Sequence, residues 1–192
     1  MIHDPDLLDR LSVLPTERFE GPVYRATGLS TDPTAPSISG GRWAPQPDAD
    51  AGIFALYTSL ERDGALAELC SFLADQTPVP GPRPIKVTRL ELSTARTVRF
   101  SSADLTVFGI DLSQYGTRDY ARTQMIGAAL AFLEYDGLIA PSPRWPCNNL
   151  VIFTNNHSLT EQLTPVSEEQ LEWRPWAVAH GLIPTGPRER AR

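Results

Sequence analysis

One segment governs the fold that we expect for this chain, and it runs from Ile38 to Phe72: ISGGRWAPQPDADAGIFALYTSLERDGALAELCSF. It predicts a glycine-lined loop that carries Arg42, a buried strand that ends near Tyr57, and an amphipathic helix with Glu68 at the border of its apolar face. Polar groups placed against apolar ones cost stability unless they have partners. The segment therefore indicates a role beyond folding.

The composition of the chain is that of one ordinary domain. It has 192 residues, of which 41% are hydrophobic, a net charge of -6 and a pI of about 5.1. This acidity argues against direct binding of nucleic acid, because phosphate binding favours a basic surface. Cys70 and Cys147 form no metal-like or redox-like pair. With no signal peptide and no apolar run long enough for a bilayer, we expect a cytoplasmic protein without a membrane segment.

Helices and strands are expected in mixed order, which is typical of the α+β class. Residues 1–18 are interpreted as an N-terminal arm or helix, residues 19–176 as a single domain, and residues 177–192 as a flexible tail rich in Pro and Arg. In the strand over Ile85–Leu92 the alternation slips near Thr88–Leu90, which predicts a bulge. A further helix is predicted over Ser167–Trp173.

Two arginines and a glycine are candidate ligand-binding residues. Arg25 lies in an apolar strand and Arg42 follows two glycines. A guanidinium group is a rigid fork that matches phosphate or carboxylate. A glycine such as Gly41 lets the backbone approach a ligand and present its N–H group. Ion pairs within the protein are an equally good explanation of the arginines.

Tyr57 and Glu68 are candidates for contact with a ring and a sugar. The Tyr57 ring could stack on a flat heterocycle, although spacing alone favours an ordinary core aromatic. Glu68 lies beside Ala65 and Phe72, where a carboxylate is poorly solvated. A single carboxylate against an electron-poor sugar carbon is what cleavage of a glycosidic bond requires. The alternative is a surface glutamate on an amphipathic helix.

A serine and an asparagine in the second half of the chain complete the candidate set. Ser142 lies between Pro141 and Pro143, which fix the backbone around one hydroxyl group; a rigid turn is the alternative. Asn149 could contact a ligand near Ser142. The three histidines are scattered along the sequence, so no metal site and no hydrolase triad is predicted.

The order of these signals resembles the RES domain family, which is named for an arginine, a glutamate and a serine. The matching residues are Arg25, Glu68 and Ser142, and the resemblance covers roughly residues 19–154. The flanking motifs are Gly40–Trp43, Leu56–Ser59, Gly137–Ser142 and Asn149–Phe153. The family often has Asn at the position of Ala44. This difference affects the expected contacts between the glycine loop and a ligand.

The resemblance implies an ADP-ribosyltransferase-like core of two packed β-sheets with flanking helices and an NAD cleft between them. It implies a toxin of a type II toxin–antitoxin system that consumes NAD as substrate without a metal, with an Xre-like helix-turn-helix antitoxin as partner. The acceptor of ADP-ribose would be a protein, water or phosphate. A nucleotide-binding or interaction module without chemistry is the alternative.

The same resemblance assigns roles to the candidate residues. The catalytic residues would be Arg25, Glu68 and Ser142. The residues that bind NAD would be Arg25, Arg42, Tyr57, Gly41, Ser142 and Asn149.

Overall fold

The protein is represented by a computed structural model, which describes residues 3–47, 52–158 and 160–184. The helices in these ranges are α1 (Pro5–Ser12), α2 (Arg62–Ala74), α3 (Ser102–Val107), α4 (Ala121–Phe132) and α5 (Trp173–Ala179). The strands are β1 (Thr16–Gly28), β2 (Ala55–Ser59), β3 (Pro84–Arg99), β4 (Gly137–Pro141), β5 (Asn148–Phe153) and β6 (Leu163–Glu172). Residues 185–192 of the predicted tail lie outside the described residues.

The six strands form one mixed sheet in the order β1-β2-β5-β4-β3-β6, and β1 also pairs with β3. Only β3 and β4 run parallel, and the other pairs are antiparallel. The sheet consists of two halves, β6-β3-β1 and β4-β5-β2. Short pairings join the halves at Tyr24 with Ser59 and at Thr97–Arg99 with 137–139. The predicted α+β class is confirmed, and the two expected layers are halves of one continuous sheet.

Apolar side chains from both halves fill the space between them. Val23 of β1 and Leu90 of β3 face Leu56, Ile139 and other residues of β2, β4 and β5 in one buried cluster. Val23 and Leu90 are direct neighbours in the β1–β3 register. Each half buries one face here, so the alternation of apolar side chains fixes the pairing register of the strands. The register in turn fixes the position of each site residue along its strand.

Helices cover the outer faces of both halves. On the β4-β5-β2 half, α4 packs through Ile126 and Leu130, and α1 packs against α4 through Leu7 and Leu11. On the other half, α2 and α5 share a cluster with the start of β3. None of the helices in the described ranges is both long and apolar enough to cross a membrane.

The predicted bulge in β3 is confirmed, because the register with β6 shifts between Arg89 and Leu90. Side chains before it face α2 and α5, as Val87 does, whereas those after it face the space between the halves, as Leu90 does. The helix predicted over Ser167–Trp173 is wrong. Residues 167–172 belong to β6, whose pairing with β3 outweighs the helix propensity of its glutamates, and Trp173 begins α5. The predicted domain boundaries at residues 18 and 176 stay predictions.

Candidate active site

A cleft of about 760 Å³ opens beside α2 and the carboxyl-terminal end of β1. Its walls are formed by β1, the loop before β2, β2 itself, α2, the segment before α4, and the turn between β4 and β5. Elements from the start, middle and end of the chain therefore meet around one space. Its size is within the usual range for small-molecule sites.

Glu68 lies on this wall and accepts two hydrogen bonds at one oxygen. Ser142 Oγ and Asn149 Nδ2 each donate to Glu68 Oε1 over 2.7 Å. Helix α2 presents Glu68 because Leu66 and Ala67 on its other side are buried in the protein. The two donors fix one carboxylate oxygen, which leaves Oε2 as the oxygen that can contact a ligand.

Ser142 is held in the tight turn between β4 and β5. Its N–H group donates to Cys147 O over 2.9 Å, and its Oγ accepts from Arg144 N over 3.1 Å. Pro143 and Arg144 line the cleft, whereas Ser142 is not among the lining residues. Ser142 is therefore linked to the cleft by its hydrogen bond to Glu68.

Asn149 of β5 has one satisfied and one free polar atom. Its Nδ2 must face Glu68, because the amide oxygen would be repelled by the carboxylate. Its Oδ1 is buried and has no hydrogen-bond partner within the described part of the chain. A buried acceptor without a partner costs free energy, so this atom is suited to accept a hydrogen bond from a ligand.

Arg42 is sandwiched between two tyrosine rings at the cleft. Its guanidinium carbon lies 4.7 Å from the centroid of Tyr115 and 4.8 Å from that of Tyr120. Its Nη2 donates to Thr117 O over 3.2 Å, while Nη1 is buried and has no partner among the described residues. Burial lowers the pKa of Arg42, and the nearby Tyr115, Tyr120 and Glu68 oppose this effect. The free Nη1 donor makes Arg42 suited to bind an anion.

The glycine loop brings Arg42 to this place through a tight turn. Gly40 has φ 69°, which favours glycine. Gly41 N–H donates to Ala44 O over 2.8 Å, so this amide already has a partner within the protein. A Cβ at Gly41 would lie 2.7 Å from the Tyr57 ring, so glycine is needed there for the close approach of Tyr57.

Tyr57 lines the cleft and anchors the glycine loop. Its hydroxyl accepts a hydrogen bond from Trp43 N over 3.1 Å, and burial raises the pKa of the phenol. The side chain is therefore a neutral hydrogen-bonded aromatic group between the loop and the cleft.

Arg25 lines the same cleft from β1 and holds the loop that follows that strand. Its Nη1 donates to the carbonyl groups of Pro33 and Ala35. Burial lowers the pKa of Arg25 to about 10, and the nearby Asp32 opposes this effect. The group is still charged at neutral pH, so it adds positive charge to the cleft while it fixes the loop.

Sequence reasoning missed several residues of the cleft. Tyr115 and Tyr120 stack on Arg42, and the Tyr115 hydroxyl donates to Pro141 O over 2.9 Å, beside Ser142. Both tyrosines lie in an irregular polar segment without periodicity, so only their residue type could have drawn attention. Within the described ranges, no group of three or more His, Cys, Asp or Glu side chains is arranged to hold a metal ion.

Comparison with known proteins identifies the family. The model of the RES domain matches residues 17–174, and the chain belongs to the RES domain family. The fold is similar to that of a chain in the crystal structure of the M. tuberculosis MbcT-MbcA toxin–antitoxin complex. The TM-score is 0.76 at 17% identity, over 90% of this chain and 96% of that chain. No curated protein matches the sequence.

Proposed function

We propose that this chain is the toxin of a toxin–antitoxin pair and that it cleaves the bond between nicotinamide and ribose in NAD. The observation that carries the proposal is the arrangement around Glu68. Its carboxylate is held by Ser142 and Asn149 in a cleft that also presents the free donor of Arg42. Membership of the RES domain family and the likeness to a chain of a toxin–antitoxin complex support it.

In this proposal the free polar atoms of the cleft bind the dinucleotide. Arg42 Nη1 donates to a phosphate oxygen, and Arg25 adds positive charge from β1. Asn149 Oδ1 accepts from a ribose hydroxyl group. Tyr57 and the backbone of Gly41 form the wall against which the nicotinamide half lies.

Glu68 Oε2 then faces the ribose of the nicotinamide half. As the bond from the anomeric carbon to the ring nitrogen breaks, its electron pair neutralises the nitrogen of the departing nicotinamide. Positive charge develops on the sugar, and a carboxylate held in advance stabilises this charge. The acceptor oxygen attacks the anomeric carbon and releases its proton to solvent. No strong general acid is required, because nicotinamide leaves as a neutral molecule.

The acceptor and the partner are part of the same proposal. Water would yield ADP-ribose, phosphate would yield ADP-ribose phosphate, and a protein acceptor would become labelled. An Xre-like helix-turn-helix protein would be the antitoxin, and it would bind DNA in place of this acidic chain. Detection of any of these products would distinguish an enzyme from an interaction module, because a module without chemistry would release no nicotinamide.

The decisive experiment is to incubate the purified protein with NAD and to measure nicotinamide release for the parent and for Glu68→Gln. The amide keeps the size of the side chain but loses the negative charge. We expect release to fall by about 100-fold or more, which is typical for loss of one preorganised electrostatic contact. Phosphate and cell extract are then added separately to identify the acceptor.

Glu172→Gln is the matched control, because Glu172 is exposed at the end of β6 and outside the cleft. It should release nicotinamide at the parent rate. The midpoint of thermal unfolding should be close to that of the parent for both variants. A folded parent protein that releases no nicotinamide would exclude this function, and a folded Glu68→Gln protein that releases it at the parent rate would exclude the role of Glu68.

A further inference from the structure

Phe72 is a large apolar side chain that stays exposed inside the cleft. Half of its surface, 50%, is accessible, whereas Leu66 and Leu73 of the same helix are fully buried. Together with Ala65, Glu68 and Leu69 it forms the stripe of α2 that lines the cleft. Phe72 lies one helical turn from Glu68, about 6 Å along the axis. Its ring is therefore available to a ligand that also reaches Glu68.

A cation lies over this ring. The guanidinium carbon of Arg118 is 5.4 Å from the Phe72 centroid, and Arg118 Nη2 donates to Asp75 Oδ2 over 2.6 Å. Asp75 is the C-cap of α2, so ring and carboxylate come from the same end of the helix. Arg118 also lines the cleft. The ion pair places the guanidinium beside the Phe72 ring.

We propose that Phe72, backed by Arg118 and Asp75, is a platform on which the adenine base of the dinucleotide stacks. This inference rests on the proposed function and assigns the specificity of the same site. A flat aromatic ring in a cleft can stack on the flat face of a base. The cationic nicotinamide ring of NAD is repelled by Arg118, whereas the neutral purine is not, and the carboxylate of Glu68 attracts the cationic end.

The test compares Phe72→Leu with the parent on two substrates, NAD and nicotinamide mononucleotide, which lacks the adenine half. Leucine keeps the apolar bulk but removes the stacking face. We expect kcat/KM for NAD to fall about tenfold more than kcat/KM for the mononucleotide, since one stacked base contributes about that much. Phe72→Trp, which retains an aromatic face, should keep the preference for NAD.

Phe132→Leu is the matched control, because Phe132 is an exposed phenylalanine, 61% accessible, on α4 outside this cleft. It should leave the ratio between the substrates at the parent value. Equal losses on both substrates, or no loss with Phe72→Leu, would overturn the platform and leave the proposed function intact.

Binding of ADP-ribose, measured by calorimetry, tests the stacking of adenine on Phe72 independently of catalysis. Phe72→Leu should weaken binding about tenfold relative to the parent and to Phe132→Leu. A parent that binds ADP-ribose but releases no nicotinamide would refute the proposed cleavage while the platform is still tested by binding. Unchanged binding by Phe72→Leu, or a parent that binds no ADP-ribose, would refute the platform.

Discussion

Ser142 and Asn149 donate to the same oxygen of Glu68, and this shared acceptor makes their effects interdependent. A hydrogen bond to a charged group contributes about 1.5–3 kcal/mol. We therefore expect Ser142→Ala and Asn149→Ala each to lower kcat for nicotinamide release about tenfold or more. The double variant should lose less than the product of the single losses, because the first change already frees the carboxylate.

Steady-state kinetics of the parent, the two single variants and the double variant measure the coupling between Ser142 and Asn149. Ser39→Ala is the control, because Ser39 lines the cleft and its Oγ lies 3.4 Å from Ser37 Oγ, far from an optimal hydrogen bond. It should retain the parent kcat. Losses that multiply fully in the double variant would mean that the two residues act on separate groups.

Among the arginines that the structure describes, Arg42 has a buried Nη1 without a hydrogen-bond partner, and its guanidinium lies between two tyrosine rings. Arg42→Lys keeps the charge but loses the planar fork and the double stacking. We expect KM for NAD to rise about tenfold with a smaller change in kcat, since the phosphate contact is made in both ground state and transition state.

Arg10→Lys provides the comparison for this change. Arg10 also stacks on an aromatic ring, at 4.8 Å from the Phe108 centroid, and donates to Val107 O over 2.7 Å, but it lies outside the cleft. Its KM should match that of the parent. A similar rise in both variants would show a general loss of stability rather than loss of a ligand contact.

The candidate residues could be selected from sequence because their types are unusual in their settings, as Glu68 is on the apolar border of its helix. Their partners could not. The bond between Glu68 and Asn149 joins residues 81 positions apart, and no local pattern encodes such a distance. The close approach of Tyr57 also changed the interpretation of Gly41, whose amide was expected to face a ligand and instead pairs with Ala44.

At the scale of elements, local sequence patterns predicted the apolar strands. They failed for β6, whose structure is determined by its pairing with a neighbouring strand. The slip in alternation near Thr88–Leu90 correctly located the bulge in β3, which lies between Arg89 and Leu90. Strand β6 was predicted in part as a helix, because its row of polar residues has no period of two. It is a strand because the free edge of β3 offers hydrogen bonds to its whole length.

The contact between the glycine loop and α4 depends on Gly127. A Cβ there would lie 1.8 Å from Trp43 O, well inside van der Waals contact. Alanine in a helix gains about 1 kcal/mol over glycine, whereas overpacking costs about 1–3 kcal/mol and occasionally more. The clashing atom belongs to the backbone and cannot move away easily, so we expect the cost of overpacking to exceed the gain in helix propensity. Gly127→Ala should therefore lower the free energy of unfolding by about 1–2 kcal/mol.

Urea unfolding measures this loss, and nicotinamide release should fall with it because the loop carries Arg42. Gly116→Ala is the control, since a Cβ at Gly116 meets nothing within 4 Å. It should unfold at the urea concentration of the parent. A more stable Gly127→Ala protein would show that helix propensity outweighs the contact.

At the scale of the whole molecule, the cleft depends on a residue that lies far from it in sequence. Trp173 at the start of α5 is fully buried against Leu66 and Leu73 of α2, the helix that carries Glu68. Its Nε1 donates to Gly81 O over 3.1 Å. The end of the described chain thereby supports the wall of the cleft, although none of α5 lines it.

Removal of this side chain tests whether the site and the fold are one cooperative unit. Trp173→Ala should lower the free energy of unfolding by about 3–5 kcal/mol, because it leaves a large cavity between α2 and α5. Trp176→Ala, at a partly buried position of the same helix, should cost less. Nicotinamide release and tryptophan fluorescence should be lost at the same urea concentration in each protein. Activity that disappears well before the fluorescence changes would show instead that α2 and its glutamate loosen while the sheet stays folded.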